Sequence, residues 1–169
     1  MLGNIGVANP RFIFNAEPDN TRNSNFHARH IPKVGFYYDG EELYTDDLRG
    51  NVLVMHFWAT WCPECWDEIK ALDSLVEQLG LQDIENVIIL PVSLDFKSIE
   101  EVQKYYDEHG IKNLKIAADS KWSLFKALGL VSVPASVIID KNGKEYSRYT
   151  KSMKWDLQTI QDLLDALIN

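Results

Sequence analysis

The chain holds two cysteines, Cys62 and Cys65, in the run Phe57-Trp58-Ala59-Thr60-Trp61-Cys62-Pro63-Glu64-Cys65. An apolar segment, Val52 to Ala59, leads into the pair. An amphipathic helical pattern, Pro63 to Leu79, leads out of it. A Cys-x-x-Cys at the first turn of a helix that follows a strand is a redox arrangement, because the spacing lets the two sulfurs bond within one turn. The helix N-terminus offers unpaired N–H groups and a partial positive charge, which favour a thiolate on the first cysteine. Pro63 suits the first turn, where its missing N–H would have no helical partner. Two blander uses of such a pair are weaker. A zinc site needs two more ligands, and the histidines at 27, 30, 56 and 109 are scattered. A purely structural bridge closing so small a loop removes little entropy from the unfolded chain.

Acid–base groups lie near the pair. At about 100° per residue, Ile69, Leu72, Val76 and Leu79 define the buried stripe of the motif helix, and Cys65 falls near its middle. Glu68 lies roughly 60° from Cys65, at the edge of the stripe. A partly desolvated carboxylate there has a raised pKa and is placed to take the proton of Cys65. His56, inside the apolar strand, is either a proton shuttle or a core histidine bonded to backbone. Trp66 falls outside the stripe and forms either an apolar docking patch or a seat for the N-terminal segment. His27 and His30 have nothing else around them to complete a metal site, so no metal is expected.

The elements that must position these groups follow in order. Residues 1–33, rich in Asn, Arg and Pro with an apolar patch at Phe12-Ile13-Phe14, read as an arm or tether. Phe36 to Tyr44 reads as a hairpin about Asp39-Gly40. Val52 to Ala59 and Val87 to Leu94 are apolar on both faces, as central parallel strands should be. Ser98 to His109 reads as a helix, with a capping box at Ser98 and Glu101 and a stop at Gly110. Leu114 to Ala118 is a short strand, and Ser120 caps a short helix to about Leu128. Ala135 to Asp140 and Lys144 to Thr150 form a hairpin through Asn142-Gly143. Lys154 to Ile168 closes as a helix with Leu157, Ile160, Leu164 and Leu167 on one stripe. Alternating strands and helices imply an α/β domain with helices on both sheet faces.

The 169 residues fit one domain with a real core. A net charge of −8 argues against nucleic acid and anionic membrane surfaces as main partners. No apolar run approaches the roughly 18 residues of a membrane helix. Met1 to Ile5 carries no basic stretch ahead of an apolar one, so no secretory signal is read there. The absence of cysteine outside the motif suits an oxidising compartment, where stray thiols mispair.

The cysteine motif, Val133-Pro134 before a strand, and the Asp140-Lys141-Asn142-Gly143-Lys144 turn together resemble thioredoxin-fold proteins. The chain looks most like the TlpA, ResA and CcmG branch of bacterial extracytoplasmic thiol–disulfide reductases. Leu43 to Leu53 resembles its lead-in, Ser98 to Ala118 its central helix–strand insertion, and Glu68 an acidic residue of that branch. The resemblance covers about residues 34–169. It implies a thioredoxin-like α/β fold with an N-terminal hairpin extension.

The resemblance also implies site roles. Cys62 would be the nucleophile and Cys65 the resolving thiol. Pro134 would be a cis-proline beside the disulfide, and Trp61, Pro63 and Val133 would meet the substrate. Glu64, Asp67 and Glu68 place negative charge near the developing thiolate, which favours a reductant. Val133 instead resembles the strong oxidases of the fold. His56 stands where thioredoxin carries a buried aspartate.

The expected activity is protein-disulfide reduction without a cofactor, on apocytochrome c or copper-site cysteines. The expected electron donor is a membrane carrier of the DsbD or CcdA type. A monomer is expected in the periplasm or another extracytoplasmic space, with or without a membrane anchor. An oxidase or isomerase of the same fold, or a copper-delivery protein, is the alternative.

Overall fold

The computed structural model describes residues 29–168. Most of the expected arm, including Phe12-Ile13-Phe14 and His27, lies outside the described residues. The described chain opens on a bridge between His30 and Lys144 and buries Ile31.

A seven-stranded sheet runs in the order β2-β1-β5-β4-β3-β6-β7. Its centre is β3 (Val52–Trp58), parallel to β4 (Val87–Ser93) on one side and antiparallel to β6 (Ala135–Ile139) on the other. Every residue of β3 is buried, which explains why its sequence shows no polar alternation. The hairpin of β1 (Gly35–Tyr38) and β2 (Glu41–Tyr44) turns at Asp39 and Gly40, whose φ angles are 48° and 93°. Two consecutive positive φ values are what a two-residue hairpin turn requires. It docks antiparallel onto β5 (Ala117–Ala118). On the far side β6 turns into β7 (Glu145–Tyr149), with Asp140 Oδ1 accepting the Asn142 and Lys144 N–H groups at 2.9 Å.

Helices cover both faces. The motif helix α1 (Pro63–Leu81), α2 (Ser98–His109) and α4 (Leu157–Ile168) join one core with Val52, Val54 and Trp58. The short α3 (Ser123–Ala127) joins Leu53, Met55 and Phe57 in the other. Each fully buried Leu, Ile or Phe in these layers contributes roughly 1.5–3 kcal/mol. Val52, Val54, His56 and Trp58 alternate with Leu53, Met55 and Phe57. His56 therefore points to the face that α1 covers.

Four local expectations differ from the structure, the first being the last helix, expected from Lys154 but beginning at Leu157. The residue capping α2 is Lys97, without a side-chain hydrogen bond, and Ser98 is already helical. The helix expected after Ser120 begins at Ser123, where the Asp119 carboxylate takes the cap by accepting the Phe125 N–H at 2.9 Å. The strand expected over 114–118 shrinks to Ala117–Ala118. Asp73 Oδ1 on α1 accepts the N–H groups of Lys112, Asn113 and Leu114 at 3.1, 2.7 and 2.9 Å.

Candidate active site

The reactive pair sits where β3 ends and α1 begins. Cys62 occupies the N-cap and Pro63 the first helical position. The Cys62 N–H reaches the Ala59 carbonyl at 3.1 Å, and the Cys65 N–H reaches the Cys62 carbonyl at 3.0 Å. This tight turn holds the two Cα atoms 5.4 Å apart, and the sulfurs are joined in a disulfide. The two cysteines differ in access: Cys62 is 6% exposed and Cys65 is 0%. Trp61 beside them is 57% exposed, and Pro63, Glu64 and Asp67 also face solvent.

The approach to the pair is anchored by a residue that the sequence reading missed. Asp95, buried just beyond β4, accepts the Thr60 N–H at 3.0 Å and the Thr60 hydroxyl at 2.6 Å. The Ser93 hydroxyl donates to the same carboxylate at 2.7 Å. An acid following an apolar strand carries no local sign of a partner 35 residues away.

Behind Cys65 lies a buried polar cluster. Glu68 is 4% exposed, inside the covered face of α1 and not at its edge. Trp155 Nε1–H donates to Glu68 Oε2 at 2.8 Å. Burial pushes the Glu68 pKa up to about 7. The Trp155 hydrogen bond opposes that rise, with weaker support for the charged form from the Met153 backbone and the Ser152 side chain. His56 Nδ1 lies 3.0 Å from Ser136 Oγ and 3.5 Å from Glu68 Oε2. Its partner is thus a side chain on β6, not backbone. Burial lowers the His56 pKa to about 3, so at neutral pH the contact with Glu68 joins a carboxyl to a neutral ring and is not an ion pair.

The start of β6 lies beside the end of β3, with Phe57 opposite Ala135. That places Val133 and Pro134 at the same end of the sheet as the cysteines. The Val133–Pro134 peptide is cis; Pro134 is buried and Val133 half-buried. Trp66 packs toward α2, and its expected contact with the N-terminal segment concerns residues outside those described. Its indole N–H donates to the Thr60 carbonyl at 3.1 Å, and its ring lies 6.2 Å from Tyr105 and 6.0 Å from His109 on α2. Among the described residues no three potential ligands gather into a metal site.

A central β-α-β unit followed by an antiparallel hairpin, with a cysteine pair at the strand–helix joint, defines a thioredoxin-like protein. Residues 24–167 match the Redoxin family; the chain belongs to that family, among its TlpA/ResA/CcmG-like members. It is 26% identical over 106 residues to the thiol-disulfide oxidoreductase ResA of Bacillus thuringiensis, covering 63% of this chain and 58% of that protein. The chain thus spans under two thirds of that relative's length. It is 29% identical over 132 residues to the thiol:disulfide interchange protein DsbE of Haemophilus influenzae, covering 75% and 67%. The fold resembles the exposed lipoprotein thioredoxin Etrx1 of Streptococcus pneumoniae, with a TM-score of 0.66, 23% identity and coverage of 80% and 100%.

Proposed function

We propose that the protein is a thiol–disulfide oxidoreductase that reduces disulfides in other proteins. One observation carries this reading: a cysteine at a helix N-cap, 6% exposed, is bonded to a fully buried one, and a buried carboxylate lies one helical turn below the latter. In the dithiol form the Cys62 thiolate attacks a partner disulfide, forming a mixed disulfide and releasing one partner thiol. Glu68 accepts the proton of Cys65. The Cys65 thiolate attacks Cys62 Sγ, the bond to the partner breaks, and the second partner sulfur leaves and is protonated. Two electrons pass to the partner, and the Cys62–Cys65 disulfide remains. With a pKa near 7, Glu68 is poised both to take this proton and to give it back. His56 supports Glu68 as a neutral ring through Nδ1, which faces both Ser136 Oγ and Glu68 Oε2, while its buried Nε2 has no hydrogen-bond partner among the described residues.

The exposed acids Glu64 and Asp67 add cost to a thiolate at Cys62, which favours the reducing direction. Trp61, Pro63, Val133 and Pro134 form the contact surface for the partner polypeptide. The names of the ResA and DsbE relatives support the chemistry. Apocytochrome c or copper-site cysteines are the proposed substrates, and a membrane carrier of the DsbD or CcdA type is the donor. The protein works as a monomer in an extracytoplasmic space, the periplasm in a Gram-negative cell.

The test is insulin-disulfide reduction together with alkylation of the reduced protein. Cys62 is expected to react first. Cys62→Ser is expected to abolish turnover, and Cys65→Ser to accumulate mixed disulfides. Faster alkylation of Cys65 refutes the assignment.

A further inference from the structure

Glu68 has two carboxylate oxygens in unlike surroundings. Oε2 receives the Trp155 indole N–H at 2.8 Å and lies 3.5 Å from His56 Nδ1. Oε1 is buried and has no hydrogen-bond partner in range among the described residues, while the Met153 backbone and the Ser152 side chain add weaker support to the charged carboxylate than Trp155 does. An indole N–H only donates and does not ionise in the working range. It therefore favours negative charge on the oxygen it faces and disfavours a proton there. A histidine or hydroxyl in its place would leave the choice of oxygen open, since both groups donate and accept.

We propose that Trp155 is a positioning residue for the deprotonation of Cys65: its indole N–H claims Oε2 of Glu68 and reserves Oε1 for the arriving proton. The inference rests on the reading of Glu68 as the base. Trp155 sits between β7 and α4, 87 residues from its partner, and is buried with Met153. The stretch that links the hairpin to the last helix thus contributes to the site from outside the cysteine motif. Few charges compete there. From β3 the neutral His56 faces the carboxyl, and Ser136 of β6 fixes that ring. In Trp155's own segment Lys154 and Asp156 pair with each other at the surface at 3.4 Å. On α1 itself Cys65 lies one turn away, while Glu64 and Asp67 face solvent. The raised pKa of Glu68 has burial as its largest cause, and the Trp155 hydrogen bond is the first contribution acting against it.

The experiment follows resolution of a preformed Cys62 mixed disulfide across pH 5 to 9 in the full chain. Two replacements at position 155 are compared: Trp155→Phe, and the sulfur isostere of tryptophan, which keeps the bicyclic ring and lacks the N–H. Both are expected to move the midpoint of the resolving step upward in pH. For a rise of one unit, resolution at pH 7 slows about fivefold, as the ionised fraction of Glu68 falls from about a half to about a tenth. Formation of the mixed disulfide at Cys62 keeps its rate. The infrared carboxyl band of Glu68 titrates upward in step. In a Glu68→Gln background the same replacements add no pH dependence.

The outcomes separate the two readings. If Glu68→Gln leaves the pH step in place, the base assignment itself fails. If Glu68→Gln removes the step but the isostere leaves the midpoint where it was, Glu68 stands and the role of Trp155 is overturned. The isostere preserves the packed volume, so this arm holds even if Trp155→Phe destabilises the fold.

Discussion

Replacing Glu68 by Gln should change how stability depends on pH, by an amount the structure sets. Burial raises the Glu68 pKa from an ordinary 4.5 to about 7. Between those values the folded state holds a proton that the unfolded state has lost. Stability therefore falls as pH rises through that window and stays reduced above it. About 2.5 pKa units correspond to about 3 kcal/mol. His56 acts with the opposite sign. Its pKa drops from 6.5 to about 3, so its contribution is present above 6.5 and is lost as pH falls toward 3. Between 4.5 and 6.5 the pair binds one proton in either state, on Glu68 when folded and on His56 when unfolded, and the two slopes cancel. The wild-type oxidised protein should show a stability plateau there. Glu68→Gln should unmask the His56 slope, so that stability climbs to about pH 6.5 and then stays level. The variant's advantage over wild type should grow by about 3 kcal/mol from pH 4 to 8, or roughly 6–12 °C in Tm for a chain of this size. Urea unfolding of both oxidised proteins at pH steps measures it. A constant difference across that range refutes the account of a buried, proton-holding Glu68.

Two further outcomes test other parts of the structure. A glutathione titration should place the Cys62–Cys65 couple well below the roughly −120 mV of DsbA; a value near or above that figure would replace the reductase with an oxidase, the direction Val133 suggests. Asp73→Ala should cost about 3 kcal/mol, because three backbone N–H groups lose a charged acceptor. It should also speed amide exchange at Lys112, Asn113 and Leu114 before other regions, and unchanged exchange there would show that the loop holds without the clasp.

What could be read from the chain was local. The apolar runs of β3, β4 and β6, the Asp39-Gly40 and Asn142-Gly143 turns, and the Cys62-Pro63-Glu64-Cys65 joint each leave a signal within a few residues. The contacts that finish the site do not. Thr60 meets Asp95 across 35 residues, His56 meets Ser136 across 80, and Glu68 meets Trp155 across 87. Polar pairs of this kind arise when the sheet brings distant segments together, and no periodicity announces them. Glu68 shows the limit well. Helical geometry put it at the edge of the buried stripe, but the segment before α4 folds over that edge and buries it. Short elements failed for a related reason: at Ser120 and Leu114 side chains from elsewhere, or one residue off, took the backbone hydrogen bonds that local rules had assigned.

The two outer strands of the sheet bear on a hazard of the proposed work. An unpaired strand edge is a template on which unfolded chain can add, and a protein that handles cysteines of unfinished proteins meets such chains continually. On one side the edge strand β2 is short and carries the exposed carboxylates Glu41 and Glu42, which repel an acidic strand and would lose hydration against a neutral one. On the other, β7 is straddled at its start by the chain's own entry. The Glu145 N–H donates to the Arg29 carbonyl at 3.0 Å, and the Ile31 N–H to the Gly143 carbonyl at 2.9 Å. One margin is thus guarded by charge and the start of the other by the chain's own entry, which favours the cysteine end of the sheet as the place where the proposed client is met and released.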